Sequence, residues 1–426
     1  MDKLFKLKEN NTTVKRELVA GLTTFLTMAY IIFVNPAVLS AAHVPFDQVF
    51  IATIISAALG TLILALGANY PIAIAPGMGL NAYFTTVVAT HGVDYNIVFS
   101  AVFMTGILFL LLSLTKLRHL IIEAIPSTLR YSITAGIGLF IAFLGLKMAG
   151  LVVENPSTLV AFGDIKQHST ILSIIGLFVT LILVVRKIPG ALFIGMVITT
   201  IISFIIGDLR FDGVVDLPPQ LQFVSLDLGG VFSNGLTMII IAFLLVTLFD
   251  TTGTMVSVAE QANLLKDGKL PRAKVAFLAD SSATTLGALL GTSPTTAYVE
   301  SSSGVAAGGR TGLTALVVSI MFILSMFFSP FVSAISSISA ITAPTLIIVG
   351  SFMMGGLAKI KWHELSDAIP AFLVIIMMPL TSSISTGISI GFITYALLKL
   401  VCGEGKKVHP LIYIFAVIFI LQMIFF

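Results

Sequence analysis

Three carboxylates stand in apolar surroundings where a charge is expensive: Asp250 in LLVTLFDTTGTMVSVAE, Asp280 in KVAFLADSSATTLG and Glu300 in GTSPTTAYVESSSG. An Asp at the centre of a membrane-spanning helix costs roughly 2.5 to 3.5 kcal/mol on insertion, so such an acid marks the path of a ligand, an ion or a proton. Hydroxyls and glycines surround Asp250 and Glu300 (DTTGT, TTAYVESSSG), Thr296 among them, and they suggest a wet, polar cavity. Asp280, six residues after Lys274 and followed by SSATT, reads equally as a hydroxyl-bonded strut between helices and as a coupling acid. The six histidines (His43, His91, His119, His168, His363 and His409) fall in loops or near span ends, so a proton relay would run through the carboxylates. The single Cys402 rules out an intrachain disulfide, and without a Cys/His cluster no structural metal is expected.

The elements that must hold these acids are helices across a bilayer. Of 426 residues 57% are hydrophobic and 10% charged, where a soluble domain carries about 25% charged residues. Apolar stretches of roughly 17 to 25 residues recur from Glu17 onward, each long enough to cross a hydrocarbon core about 30 Å thick. No soluble domain fits between them. The N-terminal MDKLFKLKENNTTVKRE lacks the apolar core of a signal peptide, so the first span is expected in the mature chain. Spans are expected to begin near residues 17, 48, 72, 97, 128, 169 and 190, then near 235, 272, 294, 312, 340, 367 and 383. With fourteen spans and the N-terminus inside, all but Lys147, Lys166 and Arg210 of the 23 basic residues fall on the inner side, as the positive-inside rule requires. That set includes Lys116, Arg118, Lys266, Lys269, Lys359 and Lys361.

Seven spans per half make the second half enter the membrane from the opposite side, the inverted repeat common in secondary transporters. The polar stretch GDLRFDGVVDLPPQLQFVSLDLGG separates the halves as an outside loop, and GLT at 21–23 and 235–237 is a faint trace of the repeat. HPLIYIFAVIFILQMIFF (409–426) is a further apolar stretch, read as a peripheral fifteenth helix because it has no polar face with which to lie on the surface.

Two spans are interrupted at matching places. IAIAPGMGLNAYFTT (72–86) sets Pro76, Gly77 and Gly79 into what should be the middle of the third span, and Pro294 does the same in the tenth. Such breaks free backbone groups that survive in a bilayer only beside protein or a water-filled cavity. A matched pair is the best pointer to a midplane binding site. GMGLNA also fits the dinucleotide fingerprint GxGxxA, but the strand-turn-helix unit and downstream acid which that motif requires are missing. The N–H groups near Gly79 remain available to a ligand, and Asn81 adds an amide with both donor and acceptor. Two carboxylates, an amide, free N–H groups and the aromatics Tyr83, Phe84, Phe249 and Tyr298 suit a planar heterocycle with ring N–H donors and a carbonyl acceptor. An anion would instead call for Arg or Lys at the midplane, and none lies there.

FDTTGT (249–254), GTSPTTAYVESSSGVAAGGRTG (291–312), APGMGLNAYF (75–84) and TMAYIIFVNPAVL (27–39) together resemble the AzgA-like purine permeases, a branch of the nucleobase/cation symporters. The resemblance covers essentially the whole chain. It implies an all-α polytopic membrane protein, a 7+7 inverted repeat of 14 transmembrane spans in a core and a gate domain. Spans 3 and 10 are then broken and carry short antiparallel strands that meet at the substrate. The implied parts are a core of 1–127 (spans 1–4) and 235–336 (spans 8–11), and a gate of 128–208 (spans 5–7) and 337–401 (spans 12–14). An outside linker, 209–234, and a tail, 402–426, complete the chain.

Carried over to this chain, Asp250 and Glu300 match the substrate-binding acids, Asn81 the third-span amide and Asp280 a ninth-span acid that related transporters require. Tyr298 lies where related transporters stack an aromatic on the base; which aromatic stacks here is left open, and Phe249 is a further candidate substrate contact. Thr296 and Gly79 complete the candidate substrate contacts, and Glu300, Asp280 and Asp250 are the candidates for proton coupling. Wider relatives have Glu where this chain has Asp250, and some pyrimidine carriers have His at Thr254; both departures suggest room for a bicyclic base.

The expected function is proton-coupled import of hypoxanthine and guanine across a plasma membrane, with the N-terminus cytoplasmic, no cofactor and no nucleic-acid partner. Adenine is the second choice because it lacks the N1–H. An anion carrier of the related sulfate-permease fold is a more distant alternative. A membrane enzyme is disfavoured by the lack of midspan His or Cys. Whether two copies pair as a homodimer through the gate helices is left open.

Overall fold

A computed structural model describes residues 2–115, 121, 124–211, 213–265 and 270–425. Lys116, Arg118, His119, Lys266 and Lys269 lie outside the described residues.

The first half contains Val14–Met28 with Ile31–Ser40 (span 1), Phe46–Ile63 running on through Leu64–Ala68 (span 2), Met78–His91 (span 3) and Tyr95–Leu114 (span 4). Ser127–Met148, His168–Val185 and Ala191–Ile206 are spans 5 to 7. The second half contains Thr237–Gln261 (span 8), Ala273–Leu290 (span 9), the six-residue helix Ser301–Ala306 (span 10) and Gly312–Ser325 continued by Ser329–Ser336 (span 11). Ser339–Met353, Leu365–Thr381 and Ile384–Val401 are spans 12 to 14. Most helices start within a few residues of the expected positions, those of spans 3 and 10 start later because strands precede them, and side-chain caps mark some of the starts. Thr13 accepts from Arg16 N–H at span 1, Asp94 from Asn96 N–H at span 4 and Thr311 from Leu313 N–H at span 11.

The proline-marked breaks become strands. β1 (Ile74–Pro76) precedes span 3 and β4 (Thr295–Ala297) precedes span 10, while β2 (Val152–Asn155) and β3 (Leu159–Phe162) form a separate hairpin between spans 5 and 6. β1 and β4 pair antiparallel in the register Ile74↔Ala297, Ala75↔Thr296, Pro76↔Thr295. Gly77 N–H donates to Pro294 O and Tyr298 N–H to Ala73 O, each at 2.9 Å. Each broken span thus satisfies the backbone of the other, which is how non-helical chain is tolerated at membrane depth.

The helices gather into two groups. Spans 1, 2, 4, 8, 9 and 11 pack together around the crossed strands, and spans 5, 6, 7, 12, 13 and 14 pack on one another beside them. In the second group Gly138 and Gly350 bring spans 5 and 12 into backbone contact, where a Cβ on either would overlap the carbonyl of the other. The tail forms a helix, Pro410–Phe425, that packs Phe415 and Phe419 edge-to-face against Phe392 of span 14.

Two expectations need correction. The GLT pair does not mark equivalent positions: Gly21–Thr23 lies inside a helix, Gly235–Leu236 lies before one, and the strands that do correspond sit 221 positions apart. Nor do most hydroxyls of the tenth-span motif line a cavity. Thr292, Ser293, Thr295 and Ser301 are buried and bonded within the protein, because the irregular backbone there needs anchors.

Candidate functional site

A cavity of about 610 Å³ lies where the crossed strands meet span 8 and the second helix group. Asp250, one turn before Thr254 and two before Ser257, projects from span 8; Glu300 stands at the start of the short helix of span 10, just after β4. Thr296, Tyr298, Met78 and Gly79 line the same cavity. Across from them spans 5 and 12 supply Thr134, Val349, Phe352 and Met353. Asp250 and Glu300 are half-buried, so both carboxylates face the space. Among the described residues that line the cavity there is no Lys, Arg or His.

Tyr298 is held rather than free: its hydroxyl donates to Pro76 O at 2.6 Å, which pins the ring across the strand pair. A flat wall of this kind suits an aromatic ligand. Phe249 lines a small adjoining recess of about 10 Å³ with Gly79, Ile137 and Asp250. Gly79 admits span 5 at close range, since a Cβ there would overlap Ile137 Cγ2. The first N–H groups of the span 3 helix have no intrahelical partner and sit at this wall.

The structure does not bring every candidate to the cavity. Asn81 is fully buried and its Oδ1 accepts a hydrogen bond from Ser293 Oγ. On a helix Gly79 and Asn81 point about 200° apart, so a span that presents Gly79 to the cavity turns Asn81 toward the loop before β4. Asp280 is buried behind the cavity, where its carboxylate accepts from Thr251 Oγ1 at 2.5 Å and Thr295 Oγ1 at 2.8 Å. Those threonines directly neighbour Asp250 and Thr296. Tyr83 and Phe84 pack on Phe243 and Phe99 instead of facing the cavity.

Two residues escaped the sequence reading. Tyr30 lines the cavity and donates to Glu300 Oε1 at 2.6 Å. Asn35 is buried and donates to Thr53 Oγ1 at 2.6 Å and Thr292 Oγ1 at 2.9 Å, anchoring the approach to β4. The signal for Asn35 was available: an amide before Pro36 inside an apolar run has to find partners.

Half-spans joined by paired strands, a cavity between two helix groups and helices long and apolar enough to cross a bilayer define a polytopic membrane transporter of the 7+7 inverted-repeat fold. The transmembrane domain of a cyanobacterium bicarbonate transporter, BicA, superposes with a TM-score of 0.69 over 87% of this chain and 96% of its own, at 18% identity. At that identity the likeness speaks to the fold alone. The Xan_ur_permease family model, described as the Permease family, matches residues 15–390, and the chain belongs to this family, as its motifs led one to expect. It is 56% identical to the guanine/hypoxanthine permease PbuO of Bacillus subtilis (strain 168) over 99% of both chains. It is 43% identical to the adenine permease AdeP of Escherichia coli (strain K12), over 100% of this chain and 96% of that one. The protein is a permease, not an enzyme.

Proposed function

We propose that this permease imports purine nucleobases, with hypoxanthine and guanine as the preferred substrates and protons as the coupling ion. The observation that carries the reading is that Asp250 and Glu300 share one cavity with the pinned Tyr298 ring, with no Lys, Arg or His among the described lining residues. Carboxylates accept from ring N–H groups, and the first N–H groups of span 3 suit the base carbonyl. The relatives PbuO and AdeP support a purine. Guanine presents N1–H and an adjacent amino group, a fork suited to one carboxylate, whereas adenine lacks the N1–H. AdeP nevertheless keeps adenine as the second reading. An anion substrate has no support from the lining residues.

In this reading Asp250, Glu300, Tyr298, Thr296 and Gly79 touch the base, Phe249 closes the recess beside it, and Asn81 acts from behind through Ser293. The proton is carried on Glu300, with Asp250 and Asp280 as the neighbouring acids. Neutralising a carboxylate lowers the desolvation cost of moving the loaded site, and an inward proton gains about 2.3 kcal/mol per 100 mV of membrane potential. The moving core is 1–127 with 235–336, the gate is 128–208 with 337–401, and 209–234 links them outside. The N-terminus is cytoplasmic in a plasma membrane, so the cavity opens inward past Ser257 and Gly355. The reading extends to a homodimer through the gate helices, which light scattering of the purified chain would measure.

Uptake of labelled hypoxanthine in cells without their own purine carriers, with guanine, adenine, uracil and sulfate as competitors and with or without a protonophore, tests the whole reading. Concentrative uptake blocked by guanine and abolished by the protonophore is expected. Entry only to equilibrium would remove the proton coupling, and no entry of hypoxanthine or guanine would remove the substrate.

A further inference from the structure

Tyr30 sits where span 1 breaks between Val14–Met28 and Ile31–Ser40. The residue is 1% exposed, so its ring is buried and only the hydroxyl end reaches the cavity wall. There it donates to Glu300 Oε1 at 2.6 Å, across 270 positions of sequence. Thr27 of the same turn reaches the Glu300 carbonyl at 3.5 Å, and Thr24 fills the space beside Gly304 so closely that a Cβ on that glycine would overlap its Oγ1. The break in span 1 therefore grips Glu300 at both its carboxylate and its backbone.

We propose that Tyr30 is a positioning residue that sets which hydrogen-bond donors of the substrate Glu300 accepts. This rests on the purine reading above. The terminal torsion of a glutamate is broad and roughly two-fold, so an unrestrained carboxylate presents either oxygen, or both, at varying angles. A short hydrogen bond to Oε1 from a buried ring fixes the carboxylate plane, and the remaining acceptor sites then face the cavity as one edge. Such an edge rewards a base with two adjacent N–H donors over a base with one. Guanine has the pair (N1–H and the C2 amino group); hypoxanthine has N1–H beside a C–H.

Tyr30→Phe keeps the buried ring and removes only the hydroxyl. Inhibition constants of guanine and hypoxanthine are to be measured against one labelled tracer in wild type and variant, together with KM and Vmax per immunoblotted carrier. The expected result is a guanine KM raised about tenfold, a hypoxanthine KM raised at most about threefold and Vmax within about twofold, in line with loss of one hydrogen bond to a charged group. Unchanged constants would make Tyr30 a core filler and overturn the proposal. An equal rise for both bases would overturn the claim of donor selection, and failure of the variant to insert would make the hydroxyl a folding element instead. If the wild type takes up neither base the purine reading fails first; if it does and the ratio stays put, only the role of Tyr30 fails.

Discussion

Asp280 draws donors from Thr251 and Thr295, and each threonine is itself engaged further: Ala297 N–H donates to Thr251 Oγ1 at 3.3 Å and Thr284 Oγ1 lies 3.0 Å from Thr295 Oγ1. The acid thereby fastens β4 to spans 8 and 9 without touching the cavity. An amide in its place retains one acceptor and strands one hydroxyl. Asp280→Asn is expected to lower stability by about 1 kcal/mol and to slow uptake while leaving accumulation intact. A thermal melt in detergent and a protonophore-sensitive uptake assay check both parts, and loss of accumulation alone would make Asp280 a coupling acid. At this scale the sequence was legible where chemistry is costly. Acids inside apolar runs announce themselves, so Asp250 and Glu300 were identifiable, whereas Tyr30 looked like any aromatic in TMAYIIFVNP. Helical phase decides that Gly79 faces the cavity and Asn81 does not, and the phase of a helix that starts after an irregular strand cannot be read in advance.

Helices and strands depend on a few close approaches. Span 3 meets span 5 at Gly79 and Ile137, which line the recess beside Asp250. Gly79→Ala should force the spans apart and cut uptake at least about tenfold, and Ile137→Ala should relieve the loss in the double variant, the behaviour of contacting residues in a mutant cycle. Initial rates of the four variants decide; additive losses would mean that Gly79 serves the ligand rather than the packing. The joint between span 14 and the tail is ionic. Glu404 accepts from Lys407 at 2.7 Å and Lys399 at 3.0 Å, and those two ammonium groups hold its carboxyl at about 2, below the usual 4.5. Because the folded value is depressed, this contribution is present above about pH 4.5 and fades as the pH falls toward 2. Glu404→Gln should therefore narrow its difference from wild type in melting temperature as buffers are taken from pH 6 to pH 3, the wild type losing an advantage that the variant never had. Element boundaries were largely readable from apolar length. From periodicity the corresponding strands were readable only as breaks, since three residues around a proline carry none; it was the resemblance that implied paired strands there.

At the scale of the molecule, the cavity runs from the crossed strands past Ser257 of span 8 to Gly355 beyond span 12, the ends nearest the basic segments around Lys274 and Lys359. A Ser257→Cys variant on a Cys402→Ser background should react with a membrane-impermeant maleimide in inside-out vesicles and not in intact cells, and guanine should protect it. Labelling only from outside would reverse the proposed orientation. The fourteen crossings and the inversion were legible from span count and charge distribution. Which hydroxyls would be struts and which would face the cavity was not, because that depends on how two segments far apart in sequence come together.

That crossing has a consequence for biosynthesis. β1 lies 221 residues ahead of β4, its pairing partner. At about 5 to 20 residues per second the ribosome needs roughly 10 to 45 s to deliver the missing strand. During that interval the first half of the chain holds unpaired backbone groups at membrane depth, and neither half can complete its strand alone. The nascent permease must therefore be sheltered, by water or by the insertion machinery, until its second half arrives.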